Sequence, residues 1–267
     1  MSDEIVSRLE LAKAIAVEAG QLTLDHFQHD SLEVIRKSDN SPVTIADREA
    51  EQLLRQRIAA AFPGDGILGE EFGEEPGSSA YRWILDPIDG TKSFISGVPL
   101  FGTLVGVEQE NQCEIGVIYV PGLDEGIFAA RGHGAWYFRS EVEPTAARVS
   151  KRRDLSDSVF LTSEVGLFEG RGADEAYRRL ERAAYITRTW GDCYGYLLVA
   201  VGRAEVMVDA TMNVWDAAPL QPILEEAGGT FTDWQGEPTI YGAEGVATNG
   251  LVMEEVLAIT RQFPKTS

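Results

Sequence analysis

Basic residues are scarce in this chain of 267 residues: 23 lysines and arginines stand against 43 aspartates and glutamates, a formal charge of −20. A surface this acidic repels phosphate backbones and anionic lipid, so nucleic-acid and membrane-surface binding are not expected. An anionic ligand would need a cation to mediate. Cysteine is scarcer still. Cys113 and Cys193 lie far apart, and neither has a partner at metal-ligand spacing, which excludes a disulfide framework and a thiolate zinc site. Of the three histidines, His26 and His29 fall at i, i+3 near the end of an expected helix, but without a third ligand nearby they read as capping or surface groups. No apolar run approaches the ~18 residues of a membrane span. The acidic start Met1-Ser2-Asp3-Glu4 runs into an amphipathic pattern rather than a targeting peptide. The cytoplasm is the expected compartment.

What is present is a globular composition, 44% hydrophobic and 25% charged, enough for one large domain or two small ones. Ile5, Leu9, Ala12, Ala16, Ala19 and Leu22 recur at helical spacing and predict a first helix ending near Phe27. Leu32 to Arg36 reads as a strand, Lys37 to Pro42 as a polar loop, and Thr44 with Asp47 as a capping box opening a second helix that ends before Pro63-Gly64. Short apolar runs follow at Ile67–Gly69, Trp83–Leu85, Thr103–Glu108, Glu114–Val120, Gly126–Ala130 and Ala135–Phe138, the last four forming an antiparallel meander. After a polar segment, Glu141 to Asp157, strands alternate with helices as in α/β units. These are strands near 159–162, 185–189, 204–209 and 230–233, with helices near 174–184, 192–201, 214–227 and 251–261. The reading is an α+β half, 1–145, and an α/β half, 146–267, in one catalytic unit.

The chemically dense segment is Asp86-Pro87-Ile88-Asp89-Gly90-Thr91, delivered by an apolar strand. Pro87 has no amide hydrogen and resists helix, so it should hold Asp86 and Asp89 in an extended turn with both carboxylates on one side. Glu70-Glu71 ends another strand, and Asp216 opens a helix. Taken alone, Asp-Pro-x-Asp-Gly is an ordinary turn and Glu-Glu an ordinary solvated rim. Together, carboxylates converging from separate element ends repel one another unless cations neutralise them. All-oxygen ligation selects hard cations, Mg²⁺ above all. A helical turn starting at Gly90-Thr91 would add free amides for phosphate oxygens, which points to metal-assisted phosphoryl transfer to water.

These residues resemble the inositol-monophosphatase-like superfamily of Mg²⁺-dependent, lithium-sensitive phosphatases. Trp83 to Thr91 is similar to its first signature, and Trp215-Asp216-Ala217-Ala218-Pro219 with Glu226-Ala227-Gly228-Gly229 to its second. The resemblance implies a layered αβαβα sandwich, a homodimer, and two to three Mg²⁺ per site. It implies Glu70, Asp86 and the Ile88 carbonyl as ligands of a first metal, and Asp86, Asp89 and Asp216 of a second. It further implies that Thr91, hydrogen-bonded to Asp47, orients the attacking water, with Glu70 reaching a third metal through water. Hydrolysis would be an in-line displacement without a covalent intermediate.

After Thr91, Lys92-Ser93-Phe94-Ile95 departs from the Thr-Asn-Phe usual among inositol phosphatases. The stretch from Lys92 to Leu104 and Thr189-Trp190-Gly191-Asp192-Cys193-Tyr194-Gly195-Tyr196 look like the histidinol-phosphate phosphatase branch. A phosphate monoester bearing an ammonium and an imidazole would suit Asp192 and Asp209 as counter-ions and Trp190 for stacking, with Arg188 approaching the phosphate or orienting those acids. Each also has a plain structural reading: Trp190 as core, Asp192 as helix cap, Arg188 in a surface ion pair. Lys92 reads either as a neighbour of the metal cluster or as a solvent-facing residue. Inositol monophosphate or other sugar and nucleotide phosphates are the nearest alternative substrates. A non-catalytic partner-binding protein on the same fold is the alternative of another class, and the retained Thr91 and Asp47 argue against it.

Overall fold

In a computed structural model that describes residues 3–29, 33–36 and 42–265, the helical spacing near the start gives α1 (Asp3–Leu24) a buried stripe of Leu9, Ala12, Ile15, Ala16 and Ala19. β1 (Val34–Arg36) and β2 (Pro42–Thr44) form a small antiparallel pair. The start of the strand expected at Leu32, and the loop from Lys37 to Ser41, lie outside the described residues. Thr44 caps α2 (Ile45–Ala61), which also turns an apolar stripe inward.

The first large sheet comprises β3 (Gly66–Gly69), β4 (Gly73–Glu75), β5 (Tyr81–Asp89), β6 (Gly102–Gln109), β7 (Gln112–Val120), β8 (Glu125–Ala130), β9 (Ala135–Arg139) and β10 (Val142–Ala146). Its order is β10-β9-β8-β7-β6-β5-β3-β4, with β3 parallel to β5 and the remaining pairs antiparallel. The short helix α3 (Thr91–Ile95) follows β5. One correction falls here: the polar segment from Glu141 holds strand β10, which ends at Ala146 on the line drawn between the halves. Every residue of β10 is exposed, so the edge strand carries no apolar alternation to betray it.

The second sheet has order β12-β11-β13-β15-β14, built from β11 (Val159–Leu161), β12 (Ile186–Arg188), β13 (Val206–Asp209), β14 (Thr230–Thr232) and β15 (Gly245–Thr248). Its helices are α4 (Gly166–Gly170), α5 (Asp174–Ala183), α6 (Cys193–Ala200), α7 (Val214–Glu226) and α8 (Met253–Thr260). β15 is fully buried but only four residues long, and no expectation covered it.

Apolar contacts fix the layers. α1 and α2 cover one face of the first sheet through Trp83, Leu85, Val105, Val107 and Val117. The opposite face, with Ile84, Leu104, Ile118 and Ile127, packs on α6 and α7, which also meet Met207, Phe231 and Ala247 of the second sheet. The far face of that sheet, with Phe160, Val206 and Val246, lies under α4, α5 and α8. The order of layers is therefore αβαβα.

α7 lies unusually close to the first sheet. It contains Pro219 and Pro222, which donate no hydrogen bond to the preceding turn. Opposite it, Gly106 and Gly116 face each other across β6 and β7. A Cβ on Gly116 would sit 2.1 Å from the Pro219 carbonyl oxygen, and one on Gly106 2.9 Å from Ala218 Cβ. Two glycines thus make a trough in which the first turns of α7 lie.

Candidate active site

β5 brings its two aspartates to the end of the sheet through an irregularity. Its pairing with β6 shifts register between Asp86 and Asp89. Pro87 offers only a carbonyl there, taken by the Thr103 hydroxyl at 2.9 Å. The Ile88 side chain is drawn into a small apolar cluster with Ala46, Phe94 and Phe101, against which Phe27 packs. The plug fixes the loop from beneath. The Ile88 amide donates to Asp86 Oδ1 at 3.1 Å.

Gly90 follows at φ +85°, in the left-handed region. A Cβ there would also lie 2.7 Å from Asp192 Oδ2 and 3.2 Å from the Leu100 carbonyl oxygen, so the conformation favours glycine and the space is tight. Phe94 donates to the Gly90 carbonyl, the first bond of α3, which leaves the amides of Thr91, Lys92 and Ser93 ahead of the helical ladder.

Asp216 arrives from the other half of the chain, in the first turn of α7, where its Oδ2 accepts the Asn213 backbone N–H at 2.6 Å. Carboxylate oxygens of Asp86, Asp89 and Asp216 lie within 4.8 Å of one another. Burial, then the neighbouring charges of Glu70, Asp89 and Asp216, push Asp86 well above the ordinary carboxylate range. Burial, Asp192 and Asp216 do the same to Asp89, whose Oδ2 takes the Cys193 backbone N–H. Burial raises Asp216 to about 7. Three mutually repelling carboxylates held by backbone donors fit a cation-binding centre, and an all-oxygen set fits a hard divalent ion. Glu70 adds its charge from the turn between β3 and β4, where its amide donates to the Leu85 carbonyl at 3.2 Å.

A cavity of about 260 Å³ opens over this cluster. Its wall includes Glu70, Asp89, Gly90, Thr91, Asp192, Asp209 and Asp216 of the expected set. Asp192, at the start of α6, is pushed up by burial. Asp209, on β13, accepts from the Ser163 amide at 2.8 Å and hydroxyl at 3.0 Å and from the Tyr196 hydroxyl at 2.8 Å; burial still raises it to about 6.

Three expectations meet a different arrangement. Thr91 and Asp47 are not hydrogen-bonded: the Thr91 hydroxyl donates to the Ile88 carbonyl at 3.1 Å, while Asp47 Oδ2 takes the Thr44 amide and hydroxyl, both at 2.7 Å. The capping box that betrayed the start of α2 is what occupies the Asp47 oxygen. Arg188 is exposed on the edge strand β12 and its guanidinium turns back to the Thr187 carbonyl, away from the cavity wall. Trp190 is neither core nor cavity wall but 44% exposed. Its carbonyl lies close to α6, where a Cβ on Gly195 would sit 2.8 Å away.

Sequence reasoning missed Ser163 and Glu164, and it placed Tyr196 in a branch-like stretch without giving it a role. Glu164 forms an ion pair with Lys92 at the cavity wall, which answers where Lys92 lies. The signal for Ser163 and Glu164 was their place just after a buried strand, β11, where α/β sheets present ligand-binding loops.

Comparison with known proteins agrees with this geometry. The sequence profile described as "Inositol monophosphatase family" matches residues 5–264. The chain is 45% identical over 251 residues to the histidinol-phosphatase of Chlorobaculum parvum, covering 94% of this chain and 95% of that one. It is 35% identical over 258 residues to the histidinol-phosphatase of Streptomyces coelicolor, covering 95% and 97%. Among solved structures, the Thermotoga maritima IMPase superposes with a TM-score of 0.85 at 30% identity, covering 96% of this chain and 98% of that one.

Proposed function

The chain belongs to the inositol monophosphatase family and is a phosphoric monoester hydrolase, and from that premise we propose that it hydrolyses L-histidinol phosphate in histidine biosynthesis, in the cytoplasm. The observation that carries the substrate is the cavity wall. Beyond the cluster at Asp86, Asp89 and Asp216, it presents Asp192, Asp209 and Glu164 against Lys92, the one cation of its lining among the described residues. Acids in such excess suit a substrate whose alcohol portion carries an ammonium and an imidazole.

Glu70, Asp86, Asp89, Asp216 and the Ile88 carbonyl would hold two to three Mg²⁺. Bound there, Mg²⁺ would supply an acidified water and charge neutralisation of the leaving oxygen. The chain's own contributions are positional. The amides from Thr91 to Ser93, left outside the α3 ladder in a stretch that lines the cavity, would serve the phosphate, and the Thr91 hydroxyl on the same wall would orient water. Asp192 and Asp209, braced by Ser163, hold the cationic part of the substrate. In this reading Asp47 and Thr91 act separately, without the hydrogen bond between them.

A homodimer belongs to the same proposal, supported by the open edge of β12, beside which Tyr185 and Trp190 are 70% and 44% exposed. Among the described residues no helix is long and apolar enough to cross a membrane.

The test is phosphate release at millimolar Mg²⁺ from a panel of six monoesters including histidinol phosphate, inositol phosphate, a sugar phosphate and a nucleotide. Histidinol phosphate should give the highest kcat/KM. Good turnover of inositol phosphate with none of histidinol phosphate would overturn the substrate.

A further inference from the structure

The acidic turn Glu70-Glu71-Phe72 is a weak place to put a metal ligand. It is the three-residue loop of the hairpin β3–β4, whose ladder has only three pairs, Ile67–Glu75, Leu68–Glu74 and Gly69–Gly73. β4 is the edge of the first sheet and is exposed throughout. An edge hairpin of this size would fray by itself.

What holds the loop comes from α2. The Glu51 side chain is completely buried, and its carboxylate reaches under the hairpin. Oε2 accepts the Glu71 amide at 2.7 Å, and Oε1 accepts the Phe72 amide at 3.2 Å and the Arg55 Nε–H at 2.8 Å. Arg55, one helical turn on, also donates to the Gly73 carbonyl and so closes the far end of the loop. Gly69 makes room: a Cβ there would lie 2.0 Å from Glu51 Oε1. Since the Glu70 amide is bonded to Leu85 of β5, the backbone of Glu70 is fixed on both sides, by the sheet before it and by Glu51 after it.

A carboxylate buried solely to bind two loop amides and one guanidinium is a costly device for joining a helix to an exposed hairpin. We propose that Glu51 is a positioning residue for the metal centre, aiming the Glu70 carboxylate into the cavity by clamping the two amides that follow it. Partners that orient metal ligands without touching the metal commonly change its affinity by about 10- to 100-fold when removed. This inference rests on the reading of Glu70 as a metal ligand, so the experiment separates the two.

Glu51→Gln keeps the shape but sets an NH₂ against amide or guanidinium donors. Calorimetric Mg²⁺ titrations of the full chain, at a temperature where melts in EDTA show each protein folded, are run on wild type, Glu51→Gln and Glu70→Gln. The half-saturating Mg²⁺ concentration in activity assays is measured alongside. Glu51→Gln should weaken Mg²⁺ binding about 10-fold, raise the half-saturating Mg²⁺ to match, and leave the substrate KM at saturating Mg²⁺ within about twofold. A variant that melts lower but binds Mg²⁺ as wild type shows Glu51 to be structural only and overturns the proposal. If Glu70→Gln itself leaves Mg²⁺ binding unchanged, the ligand assignment falls, and the proposal with it. Hydrogen exchange on the wild-type protein covers the case in which Glu51→Gln does not fold. The Glu71 and Phe72 amides should be protected without metal, and exchange at open-loop rates would refute the clamp.

Discussion

Asp47 and Asp216 occupy the same position on two helices from opposite ends of the chain: each takes its own N-cap backbone N–H on Oδ2, at 2.7 Å from Thr44 and 2.6 Å from Asn213. The capping box that starts each helix thereby also orients an acid of the proposed site. The difference between them lies in the second donor. The Thr44 hydroxyl also binds Asp47 Oδ2, whereas Asp216 turns to the aspartate cluster. Asp47 is the more fully committed to its helix.

Removing charge from the cluster should separate activity from stability. Asp89→Asn loses a proposed metal ligand and should lower kcat/KM by about 10³-fold, the equivalent of several kcal/mol of metal-derived stabilisation. In EDTA its Tm should be unchanged or higher, because one of three repelling carboxylates becomes neutral. Near-full turnover would remove Asp89 from the site.

Gly116→Ala places a methyl 2.1 Å from the Pro219 carbonyl, where backbone must give way. Such overpacking costs about 1–3 kcal/mol. Because Asp216 stands one turn before Pro219, the shift should also raise the Mg²⁺ requirement. Loss of Tm with an unchanged Mg²⁺ dependence would show that the first turn of α7 is held independently of the trough.

Asp209 predicts a pH effect of definite sign. Its ordinary value of 3.8 applies to the unfolded chain and about 6 to the folded one, so between these the folded chain binds more protons. Stability therefore falls as pH rises through that window, by about 3 kcal/mol at ~1.4 kcal/mol per pH unit. Asp209→Asn keeps an acceptor for Ser163 and has no charge to desolvate. Chemical denaturation from pH 4 to 7 should show a flatter profile for the variant, and parallel profiles would assign the slope to other groups.

Arg8 and Asp65 form a buried bidentate pair, at 2.8 Å for both bonds, with the guanidinium against the rings of Phe62 and Tyr81. Burial opposes the Asp65 charge, but Arg8, Ser79 and Trp83 donate to it and hold its pKa below the usual range. Its stabilisation is present above the ordinary pKa and is lost as pH falls through the depressed one. Arg8→Met leaves the carboxylate buried and unpaired and should cost about 3–5 kcal/mol at neutral pH. kcat should not change, since neither residue lines the cavity; a kcat loss in folded protein would connect α1 to the site.

Much of this was legible in the sequence because the signals were local. The Asp86-to-Thr91 loop, Asp216 and the capping box at Thr44 each lie within a few residues of the feature that identifies them. β10 and β4 were invisible because exposed strands lack apolar alternation, and β15 because four buried residues carry too little pattern. Arg188 and Trp190 were misplaced for a different reason. Their residue types suited the substrate, but the direction of a side chain on an edge strand and on the loop after it depends on neighbours distant in sequence. Ser163 and Glu164 reach the cavity only because β11 lies beside β13, a pairing no local signal announces.

The middle layer has a further consequence. α6 and α7 close the apolar faces of both sheets at once, and the cluster they cover draws two aspartates from β5 and one from α7. During synthesis the ribosome must deliver residue 216 before the aspartates of β5 gain their third companion. Until then the inner face of the first sheet, with Ile84, Leu104, Ile118 and Ile127, has only α6 of its two covering helices to lie against. The nascent first half therefore exposes apolar surface until the rest of the chain arrives, and the aspartate cluster is complete only once α7 has joined it.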